Sequence, residues 1–355
     1  MDNLTHSLVG YTLARAGLGR GTPAPVLTLL LASNAPDADI VTLLTGGAVG
    51  YLDAHRGFTH GPVGCLMLAA AVGGGVLGGA AALARRQGKR SELSPRGALG
   101  TFALAWVGTV LHVLMDVPTS YGTRILSPFS QTWYAFDWMP IIDVYLWLAL
   151  VGGLVWSHVA PRLAQRIAVG ILLFLAADYG ARAWFHHRAL QDAAALTAAG
   201  TASPCAASPT FVRHPTMVES AIAGPHSCIV AAALPTFFSP MTWRAVRQYP
   251  GGYELSERRI GDASAAHSLW IPSEAGPLIA RARATQTARV FLNFSRFPAT
   301  RVVQTSPTEA VVRFVDVRFV GNPIEWDPQA RARTPFVVTI TIASGWRVLD
   351  ERLAN

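Results

Sequence analysis

Charge is scarce in this chain. Only 14% of its 355 residues are Asp, Glu, Lys or Arg, while 51% are hydrophobic. That balance excludes an ordinary soluble enzyme of this length and points to a membrane protein with a soluble part. Acid is scarcer than base, 21 residues against 29, which leaves a net charge of +8. The basic residues form no long block, which argues against nucleic acid as a partner. Cytoplasmic loops of a membrane protein account for the excess. Cysteine is nearly absent. Cys65 lies in an apolar stretch and reads as a packing residue; Cys205 and Cys228 can pair if the polar half is periplasmic. No Gly-x-Ser-x-Gly, P-loop or Rossmann fingerprint occurs. The opening MDNLTHSLVG has no basic n-region and no cleavage site follows, so insertion is expected to use uncleaved segments.

The first half is rich in Ala, Leu and Gly. From Gly61 to Ala84 run 24 residues without a charge, enough to cross a bilayer. Gly73, Gly74, Gly75, Gly78 and Gly79 inside it predict close helix contact. Further spans are expected at about Gly97–Met115, Trp138–Trp156 and Ile167–Trp184. Two shorter apolar pieces, Leu4–Ala16 and Ala24–Ser33, are too short to cross and are expected as a hairpin packed within the bundle. After residue 186 the composition changes. A linker is expected at 188–208, around TAAGTASPCAASP. Short β-like runs follow: HSCIVAAAL, MTWRAVRQY, YELSERRI, ARVFLNFSRF, AVVRFVDVRFV and FVVTITIASGWRVL, with YPGGY as a hairpin turn. The expected fold is an α-helical membrane bundle, about four spans plus short N-terminal helices, followed by a β-rich soluble domain. The expected domains are 1–187 and 209–355.

Basic residues set the expected topology. Arg15 and Arg20, the group Arg85, Arg86, Lys89, Arg90 and Arg96, and the pair Arg162 and Arg166 fall on one face if each intervening segment crosses once. The positive-inside tendency makes that face cytoplasmic. The expected location is therefore the bacterial inner membrane, multi-pass, with the other face and the C-terminal domain periplasmic. That other face collects His6, NAPDADI, HRGFTHG, the end of HVLMD and YGTRILSPFS.

His112 and Asp116 of HVLMD share a helix face at i,i+4 and can ligate one metal. PDAD supplies Asp37 and Asp39, and HRGFTH supplies His55, Arg56 and His60, with Thr59 able to position a neighbour. Each motif alone fits capping or packing. Four histidines and three aspartates reaching one face from separate segments fit metal ligation, because such a charged set is costly beside lipid. Metals with mixed His/Asp ligands can activate water for attack on a phosphoester. Arg56 and Arg124 are candidates to hold an anion. Trp133, Tyr134, Phe136 and Trp138 read as an interfacial belt around Asp137. Asp178 and Arg182 are expected to pair at i,i+4, and Asp143 has no local partner. The polar half offers no comparable set: His214, His226 and His267 are scattered, and Asp316, Asp327 and Asp350 follow no metal spacing.

LTHSLVGYTLARAG, ASNAPDADIV, HRGFTHG, LHVLMDVPTSYGTRILSPFS and FDW, in that order over about residues 1–185, resemble the YdjM-like family of bacterial inner-membrane proteins. The resemblance implies a metal-dependent hydrolase, through that family's likeness to the zinc-dependent phospholipase C type and its helical His-x-x-x-Asp pair. It implies His6, Asp39, His60, His112 and Asp116 as metal ligands, with Asp37 and His55 left as ligands or as a general base. The implied cofactor is a divalent metal, zinc, in one to three ions. The expected partners are the lipid bilayer and a lipid or phosphoester substrate. Two other functions stay open: a non-enzymatic membrane protein with a structural metal and a partner-binding β domain, and a transporter using the His/Asp set as an ion relay.

Overall fold

The computed structural model describes residues 1–89, 94–195, 205–207, 228–262, 268–320 and 335–354. The expected linker begins inside a helix that runs to Ala195; its residues 196–204 and 208, together with His214, His226, His267 and Asp327, lie outside the described residues. The chain forms two compact units: Met1–Ile40 with His55–Ala183, and Val41–Ala54 with Trp184–Asn355.

The first unit is helical. Helix α1 (Asn3–Ala16) starts at Asp2, whose side chain accepts from Thr5 N, and stops at Gly17 with φ 107°. It packs against α2 (Pro25–Ala32). Helix α3 (Thr42–Ala54) belongs to the second unit. Next come α4 (Pro62–Arg86), α5 (Pro95–Asp116), α6 (Val144–Val159) and α7 (Ala164–Ala195). Among the described residues, three helical segments are long and apolar enough to cross a membrane: Pro62–Arg86, Pro95–Asp116 and Pro161–Ala195. Pro25–Ala32 with Ala35–Ala54 makes a fourth if that pair, bent by 48°, is one span.

The span expected at Trp138–Trp156 takes a different form. Asp143 accepts from Tyr145 N and Leu146 N and caps α6 there, so residues 138–143 stay outside the helix. Its 16 residues reach about 24 Å, short of a hydrocarbon core of about 30 Å. The glycines of α4 also differ from expectation. A Cβ on Gly73 would lie 2.6 Å from Phe102 Cδ1, but Gly74, Gly75, Gly78 and Gly79 have no atom within 4 Å of such a Cβ. Met115, Met139, Leu146, Leu150, Ile171 and Leu175 belong to an apolar core of this unit. Beside it Arg182 pairs with Asp143 and with Asp178, tying α7 to the start of α6. Asp143 thus has a partner that is remote in sequence.

The second unit holds two sheets. Strands β1 (Ala206–Ala207), β2 (Val230–Pro235), β3 (Thr242–Tyr249), β4 (Gly252–Arg259) and β5 (Ser268–Pro272) lie in sequence order. Among the described residues of this sheet, β1 and β2 pair in parallel and the other neighbours are antiparallel. The YPGGY turn closes the β3–β4 hairpin, with Tyr249 opposite Gly252. Helices α8 (Pro277–Arg283) and α9 (Gln286–Phe294) precede the antiparallel meander β6 (Pro298–Ser306), β7 (Glu309–Asp316), β8 (Val337–Ala343) and β9 (Val348–Ala354). The run ARVFLNFSRF, expected as a strand, is mostly α9. Thr285 caps it, and Thr287, Ala288, Phe291 and Phe294 are buried, the spacing of one helix face rather than of strand alternation. Helix α3 packs on α9. Leu234, Val246, Leu255, Ile271, Val315 and Val317 belong to one hydrophobic core of this unit. Cys205 and Cys228 are joined as a disulfide, with Cα atoms 5.0 Å apart, while Cys65 is a buried free thiol.

Candidate metal centre

Four short pieces of the helical unit carry the site. Helix α1 brings His6. The 3-10 turn Ala35–Val41 brings Asp37 and Asp39. A second 3-10 turn, Phe58–His60, brings His60 after His55 and Arg56. The last turn of α5 brings His112 and Asp116. The turn at His60 depends on Gly61: a Cβ there would sit 1.8 Å from the carbonyl oxygen of Ser127. Arg56 adopts φ 52°, a left-handed conformation uncommon for a residue with a side chain. Both of its backbone polar groups are held, the N–H by Asp39 Oδ2 at 3.0 Å and the carbonyl by Arg124 N at 2.9 Å.

His60, His112, Asp37 and Asp116 converge most tightly. His60 Nε2 and His112 Nε2 are 3.3 Å apart. Each lies 3.4 Å from Asp116 Oδ2. Asp37 Oδ1 is 3.6 Å from the first and 3.5 Å from the second. A tetrahedral ion with ligand bonds of about 2.0–2.1 Å has ligand–ligand edges of about 3.3–3.4 Å. These five separations match such a set of edges.

Hydrogen bonds behind the rings fix the tautomers. His112 Nδ1 lies 2.7 Å from the carbonyl oxygen of Ser33, which can only accept, so Nδ1 carries the proton. That leaves Nε2 to the centre. His60 Nδ1 lies 3.0 Å from Thr59 Oγ1, which itself donates to Asp39 Oδ2 at 3.2 Å. Such partners orient metal-binding imidazoles and raise their basicity. Asp116 Oδ2, fully buried, makes no hydrogen bond among the described residues. An orphaned carboxylate oxygen facing two imidazole nitrogens is the donor set a divalent cation would satisfy. The residues present therefore fit a metal.

A second group shares Asp37. Ligand atoms of Asp37, Asp39 and His55 all lie within 4.8 Å of one another. His55 Nδ1 is 3.0 Å from Asp39 Oδ1. Burial holds His55 below the ordinary histidine range, opposed by Asp39, so the imidazole is neutral at neutral pH. Asp37 and His55 are also the most open members, with side chains 14% and 12% exposed, against zero for His6, His60, His112 and Asp116. The site opens through them.

His6 stands beside the four-atom group. Its ring stacks on His112 at 3.8 Å, and its Nε2 is 3.4 Å from Asp116 Oδ1, the oxygen turned away from the group. That same oxygen accepts Arg56 Nη2 at 3.1 Å and contacts the α-amino group of Met1. Asp39 is largely engaged by His55, Arg56 N and Thr59.

Both arginines expected to hold an anion are buried and turned into the protein. Arg56 donates to Asp116, to Thr119 Oγ1 and to the carbonyl of Gly122, and its guanidinium lies over Tyr121. Arg124 donates to Gln131 and to the carbonyl of His55, and lies over Trp133. Trp133 is thus buried beneath Arg124, unlike a belt residue, and Asp137 is buried as well. The support from the Ser33 carbonyl and from Thr119 was not read from the sequence; nothing local marks either residue.

The fold and this centre define a helical membrane protein with a buried His/Asp site. The family model described as YdjM inner membrane protein matches residues 1–189, and the chain belongs to that family. It is also similar to a Bacillus subtilis (strain 168) protein described as "Uncharacterized protein YfhP", 28% identical over 163 residues. That match covers 42% of this chain and 44% of the relative, so the chain spans less than half of that relative's length. No solved structure matches the chain.

Proposed function

We propose that this chain is a membrane-embedded, metal-dependent hydrolase acting on a phosphoester or other ester of a lipid or membrane-associated substrate. The observation that carries the reading is the convergence of His60 Nε2, His112 Nε2, Asp37 Oδ1 and Asp116 Oδ2 at tetrahedral spacing. Nitrogen and carboxylate donors in that number suit zinc. A divalent ion held there supplies Lewis acidity and an activated water at neutral pH. His60, His112 and Asp116 are the fixed holders. Asp37, shared between two ligand groups and partly exposed, can bridge two ions. His55, neutral and oriented by Asp39, can accept a proton at the mouth. Arg56 positions Asp116 rather than presenting a free cation, and Arg124 positions the carbonyl of His55.

The Cys205–Cys228 disulfide supports an oxidising compartment for the second unit, hence a periplasmic side. The arginine-bearing ends of α1, α4 and α7 then face the cytoplasm.

One observation favours a second reading. Four protein donors close a tetrahedron, and closed sites are structural whereas catalytic sites keep a position open. The test is metal content and ester hydrolysis of the purified full-length protein. We expect bound zinc, hydrolysis of a phospholipid in mixed micelles, loss of both on chelation, and loss of both in His60→Ala plus His112→Ala. Wild-type protein without metal would sink both readings. Stoichiometric metal with no hydrolysis across phosphoester and carboxylester substrates would leave the structural one.

A further inference from the structure

We propose that the groove between α6 and α7 binds an anionic phospholipid, with the phosphate on Arg166 and an acyl chain along α7. Gly153 and Trp156 of α6 face Leu163, in the 3-10 turn before α7, and Arg166, Gly170 and Phe174 of α7 around a groove of about 500 Å³. The α7 residues recur at four-residue steps, so they form one stripe along one helix face. From Arg166 to Phe174 that stripe runs about 12 Å. Gly153 forms a close floor, where a Cβ would meet Ile171 Cδ1 at 2.5 Å, whereas a Cβ on Gly170 would meet nothing within 4 Å. Trp156 and Phe174 are 60% and 43% exposed, so the groove presents apolar walls on the outside of the bundle. None of the proposed metal-holding residues lines it.

Charge selects the occupant. Arg166 is the one charged side chain on the wall, and it is exposed, as is Arg162 beside it. The end of α1 meets the same end of α7: Arg20 donates to Gln165 Oε1, and Gln165 donates to the carbonyl of Ala16. Arg15 lies in that last turn of α1. No acidic residue occurs between positions 3 and 36 or between 144 and 177, so neither chain segment brings a counter-charge. An apolar slot ending in guanidinium groups that form no ion pair among the described residues fits a lipid with an anionic head. The ammonium of a zwitterionic head would be repelled there.

Native mass spectrometry of the full-length protein in mixed micelles of phosphatidylglycerol and phosphatidylcholine at equal concentration tests this. The wild type should retain phosphatidylglycerol preferentially. Arg166→Gln should lower that retention about fivefold, the weight of one cation near an anionic lipid surface. Gly170→Leu, placed in open space, should fill the groove and displace both lipids without unfolding α7. Arg85→Gln plus Arg86→Gln, away from the groove, should leave retention unchanged. Equal retention of the two lipids by the wild type would overturn the proposal. So would an equal loss in the Arg85/Arg86 variant, or no loss in either groove variant.

Discussion

Each unit of the molecule buries acid and base, and the two do it differently. In the β-rich unit Arg318 and Asp316 form a closed pair. Nε donates to both carboxylate oxygens at 3.0 Å and Nη2 to one at 2.7 Å. Nη2 also reaches the carbonyl of Phe294, and the guanidinium lies 5.0 Å from the ring centroids of both Phe294 and Phe319. The geometry of the fork satisfies the carboxylate from within the protein. In the helical unit Asp116 is satisfied on one oxygen only. Arg56 takes Oδ1, and Oδ2 faces two imidazole nitrogens whose protons lie on the far side of their rings. The first arrangement is complete as protein. The second becomes complete with a cation. That difference separates a fold-stabilising pair from a ligand site, although burial is nearly the same in both.

The largest effect that would test this contrast is in the β-rich unit. Arg318→Ala leaves Asp316 buried without its partner and should destabilise that unit by about 3–5 kcal/mol in denaturant unfolding, with the metal content of the protein unchanged. Metal loss in that variant would break the separation. Acid gives the next effect, on the other side. Imidazole ligands bind metal only when neutral, so protons compete for them as the medium is acidified. With two histidine ligands, affinity should fall by up to about a hundredfold per pH unit once protons outcompete the metal at both, measured by competition with a chromophoric chelator. His55, held below the ordinary range by burial, should resist protonation until lower pH than a free histidine. Its neutral form is favoured in the folded protein, so the associated stability is present above about pH 6.5 and is lost as pH falls toward its folded value. The smallest effect probes support behind the ligands. Thr59→Val removes the hydroxyl between His60 and Asp39 and should weaken metal binding about 10–100-fold while the fold persists. Unchanged affinity would mean that His60 is not oriented from behind.

How much of this was legible in advance varies by residue. His112 and Asp116 stand out because helical periodicity puts i and i+4 on one face, and an apolar helix makes any polar pair conspicuous. Asp37, Asp39, His55 and His60 stand out as polar residues between apolar segments. The division of labour between Asp37 and Asp39 does not, because two carboxylates two residues apart in a 3-10 turn look alike in sequence. Only packing directs Asp37 toward His60 and His112, and Asp39 toward His55 and Thr59. The arginines mislead for the same reason. A guanidinium beside a polar motif reads as an anion holder, yet Arg56 is drawn inward by Asp116 and Arg124 by Gln131 and the His55 carbonyl. ARVFLNFSRF misleads because its β-branched and aromatic content suggests a strand, whereas its buried positions follow a helical period and Thr285 supplies a cap.

Sequence alone determined the membrane class, three of the four expected apolar spans and the inventory of histidines and aspartates, because hydropathy and helical period are local properties that need no partner. Tertiary structure decided which oxygen of Asp116 is left over, which ring nitrogen of His60 and His112 faces it, and that Asp143 pairs with Arg182. Those outcomes depend on distances between residues far apart in the chain. Only when Ser33, Thr59 and Arg56 arrive behind the ligands do the remaining lone pairs converge on one point.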